Sequence, residues 1–230
     1  MAFMISPGVN VSEVDLTTIV PSVGTTEGAY AGYFDWGPIG TVVTLSNEVE
    51  LVNTFGKPSS NTFRSFFSSA NFLSYARSLR VVRAADLATI KNATNSGSGL
   101  LIKNRDQYES EYFDLSAANT AGMFAARYAG ALGNSLRVGL WAKANAAAYS
   151  SWEYAEEFNG VTGTSVFVGD KGGANDEIHI IVLDEDGKFT GQANTVLEKF
   201  PYVSKAMDAK NDDGSSNYYV NVINDRSRYI

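Results

Sequence analysis

The sequence predicts an α+β protein: a mixed sheet with flanking helices, preceded by an extended N-terminal arm. Three observations predict it. Apolar residues alternate with a period of two in several short stretches, two stretches between them carry helical 3/4 spacing, and the two kinds do not alternate as regular βαβ units.

The opening MAFMISPGVNVSEVD reads as extended. Val9 and Val11 alternate with polar residues, and Val14 and Leu16 do so on the opposite parity. A parity change needs one extra residue, so a bulge or bend separates two short strand pieces. From Gly24 to Leu45 the pattern stays β-like, as two strands joined at Trp36-Gly37-Pro38. Asn47 with Glu50 three residues on is an N-cap pair, and Gly56 is the matching stop. Phe63, Phe66, Phe67, Ala70, Leu73 and Arg77 form one apolar stripe ending in a base, the pattern of a second helix packed on a core. SLRVVRAAD then reads as a buried strand with Arg80 and Arg83 at its rims.

NATNSGSG (Asn92 to Gly99) is a flexible loop by composition. The Ala-rich stretch from Asn119 to Ala129 is expected to be helical, and GALGNS to turn into the strand LRVGLW. Residues 144–158 also read as helical. DEIHIIVLDEDGKFTG reads as a hairpin, with Ile178, Ile180 and Val182 on one face and Asp186-Gly187 in the turn. Tyr218, Tyr219, Val222 and Ile223 belong to a last short helix. The expected organisation is an arm over residues 1–20 and a body over 21–230, in one piece or as two lobes (21–91 and 100–230).

Composition excludes several functions. There is no basic n-region before a long apolar run, so neither a secretory signal nor a membrane span is expected. Cysteine is absent, which removes disulfides, thiol nucleophiles and thiolate metal sites. A net charge of −7 argues against nucleic acid and anionic membranes as partners. The charge is unevenly placed: −6 over residues 1–56, +7 over 57–105, −1 over 106–150 and −7 over 151–230. Either this is ordinary scatter over solvated faces, or acidic and basic surfaces meet between copies of the chain. In the second case Arg64, Arg77, Arg80, Arg83, Lys91, Lys103 and Arg105 are the candidate contact cations.

Chemistry-bearing motifs are few. Gly97-Ser98-Gly99 lacks the third glycine and the leading strand of a dinucleotide site, and VFVGDKGGAND lacks the order of a phosphate loop. Asp184-Glu185-Asp186-Gly187 has its glycine too early for a calcium loop. His179, the single histidine, falls inside an alternating strand and is expected on that strand's polar face. No catalytic residue, metal ligand or cofactor is expected, which favours a structural protein over an enzyme.

Several segments, in their order, resemble contractile bacteriophage tail sheath proteins. These are SPGVNVSEV, then AGYFDWGPIGTVVTLSNEVELVNTFGKP with its WGP turn and Phe-Gly stop, then SSANFLSYARSLRVVRAAD. LGNSLRVGLW and YYVNVINDRSRYI are similar to later segments of that family. The resemblance implies a virion tail protein, assembled in the host cytoplasm, that forms a helical homo-oligomer around the tail tube and contacts baseplate proteins. A non-sheath binding or baseplate module of the same particle is the alternative. It also implies that the arm leaves its own subunit and adds a strand to a neighbour, with Ser6, Pro7, Gly8, Val9, Val11, Glu13, Val14 and Leu16 as its contact residues. Twenty extended residues reach at most ~65 Å, against a radius of gyration of ~17 Å for the body. The alternative for the arm is an edge strand on its own domain. Some relatives insert a domain where this chain has only the 92–99 loop. The family's C-terminal domain, which binds the tube and receives neighbouring arms, has no counterpart in these residues.

Overall fold

The computed structural model describes residues 26–95, 99–113 and 122–230. The expected arm over residues 1–20 therefore lies outside the described residues, and so do its eight named contact residues. The fold is α+β, built on two separate three-stranded sheets.

The first sheet contains β1 (Glu27–Tyr33), β2 (Val42–Leu45) and β3 (Ser78–Ala84) in the order β1-β3-β2. β1 and β2 are the two strands expected on either side of the Trp36 turn, but they do not pair with each other. β3 lies between them, parallel to β1 from Glu27↔Ser78 to Tyr33↔Ala84 and antiparallel to β2. β3 buries Leu79, Val81 and Arg83 on one face, and the strand with the deepest inward face takes the protected centre. The crossover to β3 runs through α1 (Glu48–Phe55) and α2 (Phe63–Leu73).

The predicted cap of α1 is present. Asn47 Oδ1 accepts the Glu50 amide at 2.9 Å, while the Glu50 carboxylate reaches back to the Ser46 amide at 2.8 Å. Gly56 ends the helix at φ +83°, its N–H donating to the Val52 carbonyl. Replacing Asn47 with alanine removes the only side-chain acceptor for the Glu50 amide. It is expected to cost about 1 kcal/mol in a urea titration, with an unchanged m-value.

α2 departs from the expected stripe. Phe66, Ala70 and Leu73 are buried, but Phe63 and Phe67 stay 45% and 50% exposed. Phe67 lies about 100° around the helix from Phe66, at the edge of the buried face, and Phe63 stands at the first residue of the helix. Arg77 falls beyond the helix end. α2 crosses β1 at two glycines. A Cβ at Gly28 would come within 2.5 Å of the Phe72 ring, and one at Gly32 within 2.9 Å of Ser65 Oγ. Phe34, Leu45, Leu51, Phe55, Phe66, Leu73, Leu79 and Val81 fill the core beneath.

The stretch expected to be a flexible loop is anchored where it is described. Asn92 is 1% exposed; its Oδ1 accepts the Ile102 amide at 2.7 Å and its Nδ2 donates to the Ala126 carbonyl at 2.9 Å. Thr94 bridges to Ala125. That bridge also overturns the helix expected over 119–129, whose described part (122–129) is non-helical. Its alanines allow close approach instead: Ala126 and Ala129 are buried, and a Cβ at Gly133 would meet the Ala126 methyl at 2.9 Å. A short helix α3 (Arg105–Gln107) widens into a π-turn over Tyr108–Tyr112, and a 3₁₀ turn over Ala131–Ser135 feeds the second sheet as expected.

That sheet is an antiparallel meander of β4 (Leu136–Trp141), β5 (Glu177–Asp184) and β6 (Thr195–Ser204). The predicted hairpin exists, with Gly187 at φ +74°, but its connection is longer than expected. Lys188-Phe189-Thr190-Gly191 belongs to the loop, and the return strand begins at Thr195. Ile178, Ile180 and Val182 share one face as expected, packing on Phe200, Val203 and the last helix, with Val222 and Ile223. The opposite face of β5 is not polar. His179, Ile181 and Leu183 are buried there under Tyr149, Trp152, Tyr154 and Phe158.

Those aromatics come from the region expected to be one helix. It is instead α4 (Ala146–Tyr149), a turn and a short 3₁₀ segment (Ala155–Glu157). Trp152 and Tyr154 both pack on the sheet, and on a helix two residues apart they would point about 200° from each other. Covering the sheet therefore breaks the helix. α5 (Val166–Asp170) and α6 (Tyr219–Arg226) complete the chain.

Candidate functional site

Two buried ionic groups organise the region between the sheets. Arg83, expected at a strand rim, is 2% exposed. It donates from Nε to the Phe34 carbonyl at 2.8 Å, from Nη1 to the Gly37 carbonyl at 2.7 Å and from Nη2 to the Ala129 carbonyl at 2.8 Å. One planar guanidinium thus ties the Trp36 turn to the segment leading into the second sheet. Burial lowers its pKa to about 10, with Tyr33 and Asp35 acting in the opposite sense, so it stays charged at neutral pH. Gly130, at φ +139°, lets the Asp35 carbonyl pass where a Cβ would sit 2.8 Å away. Trp36 stands edge-on to both Tyr128 (5.3 Å) and Phe189 (5.1 Å).

Phe189 is held there by the second group. Asp184 is fully buried. It accepts Ser135 Oγ at 2.6 Å on one oxygen, and the Phe189 amide (2.9 Å), the Thr190 amide (2.8 Å) and Thr190 Oγ (2.9 Å) on the other. Desolvation pushes its pKa up, but the hydrogen bonds together outweigh it and hold the carboxyl below its ordinary value. Lys57 Nζ reaches across to the Thr190 carbonyl at 2.9 Å. Asp184-Glu185-Asp186-Gly187 is thus a loop anchor.

His179 is fully buried and stacks on Phe158 with ring centroids 4.3 Å apart. Both ring nitrogens are engaged by backbone, at Gly160 and Tyr202. A cleft of about 860 Å³ opens beside α6, lined by Ile102, Tyr108, Tyr112, Phe124, Tyr219 and Ile223 among others. The Arg105 guanidinium at its rim pairs with Glu109 and Asp225. Among the described residues no three His, Asp or Glu side chains are grouped to hold a metal ion, and no helix is long and apolar enough to cross a membrane.

The candidate contact cations have different surroundings. Arg83 is withdrawn from that set, because it is buried and donates to three carbonyls of its own chain. Arg80 pairs with Glu27 of the same chain at 3.8 Å, both half exposed, and Arg105 is likewise paired internally. Arg64 lies over the Phe63 ring at 5.7 Å. Arg77, Lys91 and Lys103 form no ion pair among the described residues. The role of Arg83 had a signal in the sequence. It shares its parity with Leu79 and Val81, so a strand buried on that face must carry it inward.

In class, then, this is an α+β body whose buried polar side chains hold its own loops in place. Residues 28–84 match the family described as the N-terminal region of domain III of the tail sheath protein Gp18. The tail sheath protein of Enterobacteria phage T4 is 44% identical over 91 residues, 40% of this chain and 14% of that protein. That of Vibrio phage KVP40 is 37% identical over the same length and shares. That of Salmonella phage ViI is 27% identical over 196 residues, 85% of this chain and 28% of that protein. The crystal structure of the sheath tail protein Lin1278 from Listeria innocua aligns with a TM-score of 0.38 and 13% identity, over 77% of this chain and 26% of that one. The chain is thus similar to phage tail sheath proteins over these stretches, and it spans far less than two thirds of the length of those it matches.

Proposed function

We propose that this chain is a structural part of a phage tail sheath, a non-enzymatic subunit that assembles with copies of itself around the tail tube. One observation carries the reading. The family match, residues 28–84, begins inside β1 and ends on the last residue of β3, so it covers the first sheet and both its helices as one folding unit. The subunit belongs to the virion tail and assembles in the host cytoplasm. Repeated heterologous contacts generate a helical tube when the rotation does not close. Contraction is a rigid-body rearrangement between two packings of the same subunits.

Residues 1–20 are the link between subunits in this reading. The alternating Val9, Val11, Val14 and Leu16 set the register of a strand added to a neighbour, and Ser6-Pro7-Gly8 is the turn that starts it. The described part of the body is held together by its own cores. Electron microscopy of the purified chain tests the function: tubes or rings support it, and monomers at all concentrations count against it. Deleting residues 1–20 is expected to abolish assembly while leaving the melting temperature within about 2 °C. An equal loss of melting temperature and assembly would mean that the segment packs on its own domain.

A further inference from the structure

The pairing of β6 with β5 is irregular at two places, between Ile178 and Ile180 and between Val182 and Leu183, and the first of them lies at the histidine. Ile178 pairs with Val203 and Ile180 with Phe200, so Pro201 and Tyr202 together stand opposite His179. Two residues against one is a bulge. Pro201 suits it, because it has no N–H to offer the ladder. Tyr202 adopts φ +53°, the left-handed region, where a bulky side chain is unfavourable by roughly 1–2 kcal/mol.

The imidazole holds this conformation. Nε2 lies 2.8 Å from the Gly160 carbonyl, which only accepts, so Nε2 carries the proton. Nδ1 is therefore a bare lone pair, and the Tyr202 amide donates to it at 3.1 Å. The Tyr202 carbonyl is held by Asn217 Nδ2 at 3.0 Å, and its ring stands edge-on to the imidazole at 4.5 Å. We propose that His179 and the Tyr202 bulge form an acid-operated latch. A proton arriving at Nδ1 turns the acceptor into a donor facing another N–H, and the bulge relaxes towards an ordinary strand.

The groups around the ring fix the direction. Glu177 on β5 favours the imidazolium. α4 contributes the Tyr149 ring at 6.1 Å, the loop after it Phe158, and β4 the paired Trp141. Further along the same face lies the exposed Lys199–Glu157 ion pair. Burial acts most strongly and holds the imidazole below its ordinary range, against the Gly160 bond and Glu177. With the folded pKa depressed, the latch is fully closed above about pH 6.5 and loses stability as the pH falls from there towards the folded midpoint.

The single histidine makes the test direct, because its ring resonances are unique in the spectrum of the whole chain. Amide exchange at Tyr202, corrected for intrinsic pH dependence, is expected to rise by up to about tenfold per pH unit below 6.5. Exchange at Val182, three residues further along β5 and away from the imidazole, is expected to stay flat over the same range. His179→Asn keeps an acceptor near the Nδ1 position and does not titrate, so its Tyr202 exchange is expected to show no such rise. A flat Tyr202 profile in the unaltered chain overturns the latch, as does an equal rise at Val182 or an undiminished rise in the variant. Should His179→Asn fail to fold, the ratio of Tyr202 to Val182 exchange in the unaltered chain decides alone.

Discussion

Replacing Arg83 with methionine is expected to cost about 3–5 kcal/mol, the largest single effect in the first sheet. The side chain keeps its length and most of its volume, so the loss isolates the guanidinium. The Phe34, Gly37 and Ala129 carbonyls each lose a charged donor. A buried polar group left without its partner costs about 1–3 kcal/mol. Arg83→Lys supplies a single ammonium in place of a planar fork, and is expected to recover only part of the loss. In a chain of this length a kilocalorie corresponds to about 2–4 °C, so Arg83→Met should melt ~10 °C lower by circular dichroism. A shift within 2 °C would show that the carbonyls find water or other donors, and that the guanidinium does not hold the seam.

Asp184→Asn is expected to be nearly as damaging, by about 2–4 kcal/mol, and to change the pH profile as well. The amide offers one acceptor oxygen where the carboxylate offers two, and it turns an N–H₂ towards either Ser135 Oγ or the Phe189 and Thr190 donors. The loop from residue 185 to 194 would lose its anchor, and Phe189 its place against Trp36. The carboxyl's folded pKa is depressed below its ordinary value. Its contribution is therefore present above about pH 3.9 and is lost as the pH falls through the folded pKa. The difference in stability between the two proteins, followed by urea titration, should narrow at acid pH. A constant difference from pH 7 to pH 3 would mean that the carboxylate's charge is not what the loop needs.

Much of the fold was legible in residues whose local chemistry and tertiary role agree. Asn47, Glu50 and Gly56 mark the two ends of a helix by local chemistry, and that helix is present in the protein; the β5 alternation of Ile178, Ile180 and Val182 finds the face it predicts. The errors arose where a side chain serves a distant partner. Alanines at 125–126 favour a helix by propensity, but their small size is used for close backbone pairing with Ala93 and Thr94. Asn92, typical of loops, is buried because its amide completes two other segments' hydrogen bonds. His179 was assigned to a polar face because alternation describes a strand with one wet side, and β5 has none. Of the candidate contact residues, the arm lies outside the described residues. The internal commitments of Arg83, Arg80 and Arg105 depend on partners far away in sequence.

The order of strands in the first sheet bears on how the chain acquires its shape during synthesis. β3 is made last of the three and occupies the centre, so β1 and β2 have no partner until Ala84 has left the ribosome. The pairing of Glu27 with Ser78 must close a long stretch of chain before its first rung contributes anything. Until then β1 and β2 present unpaired backbone edges, which can pair with other nascent chains. The sheet then closes in one step, from two waiting edges to three paired strands.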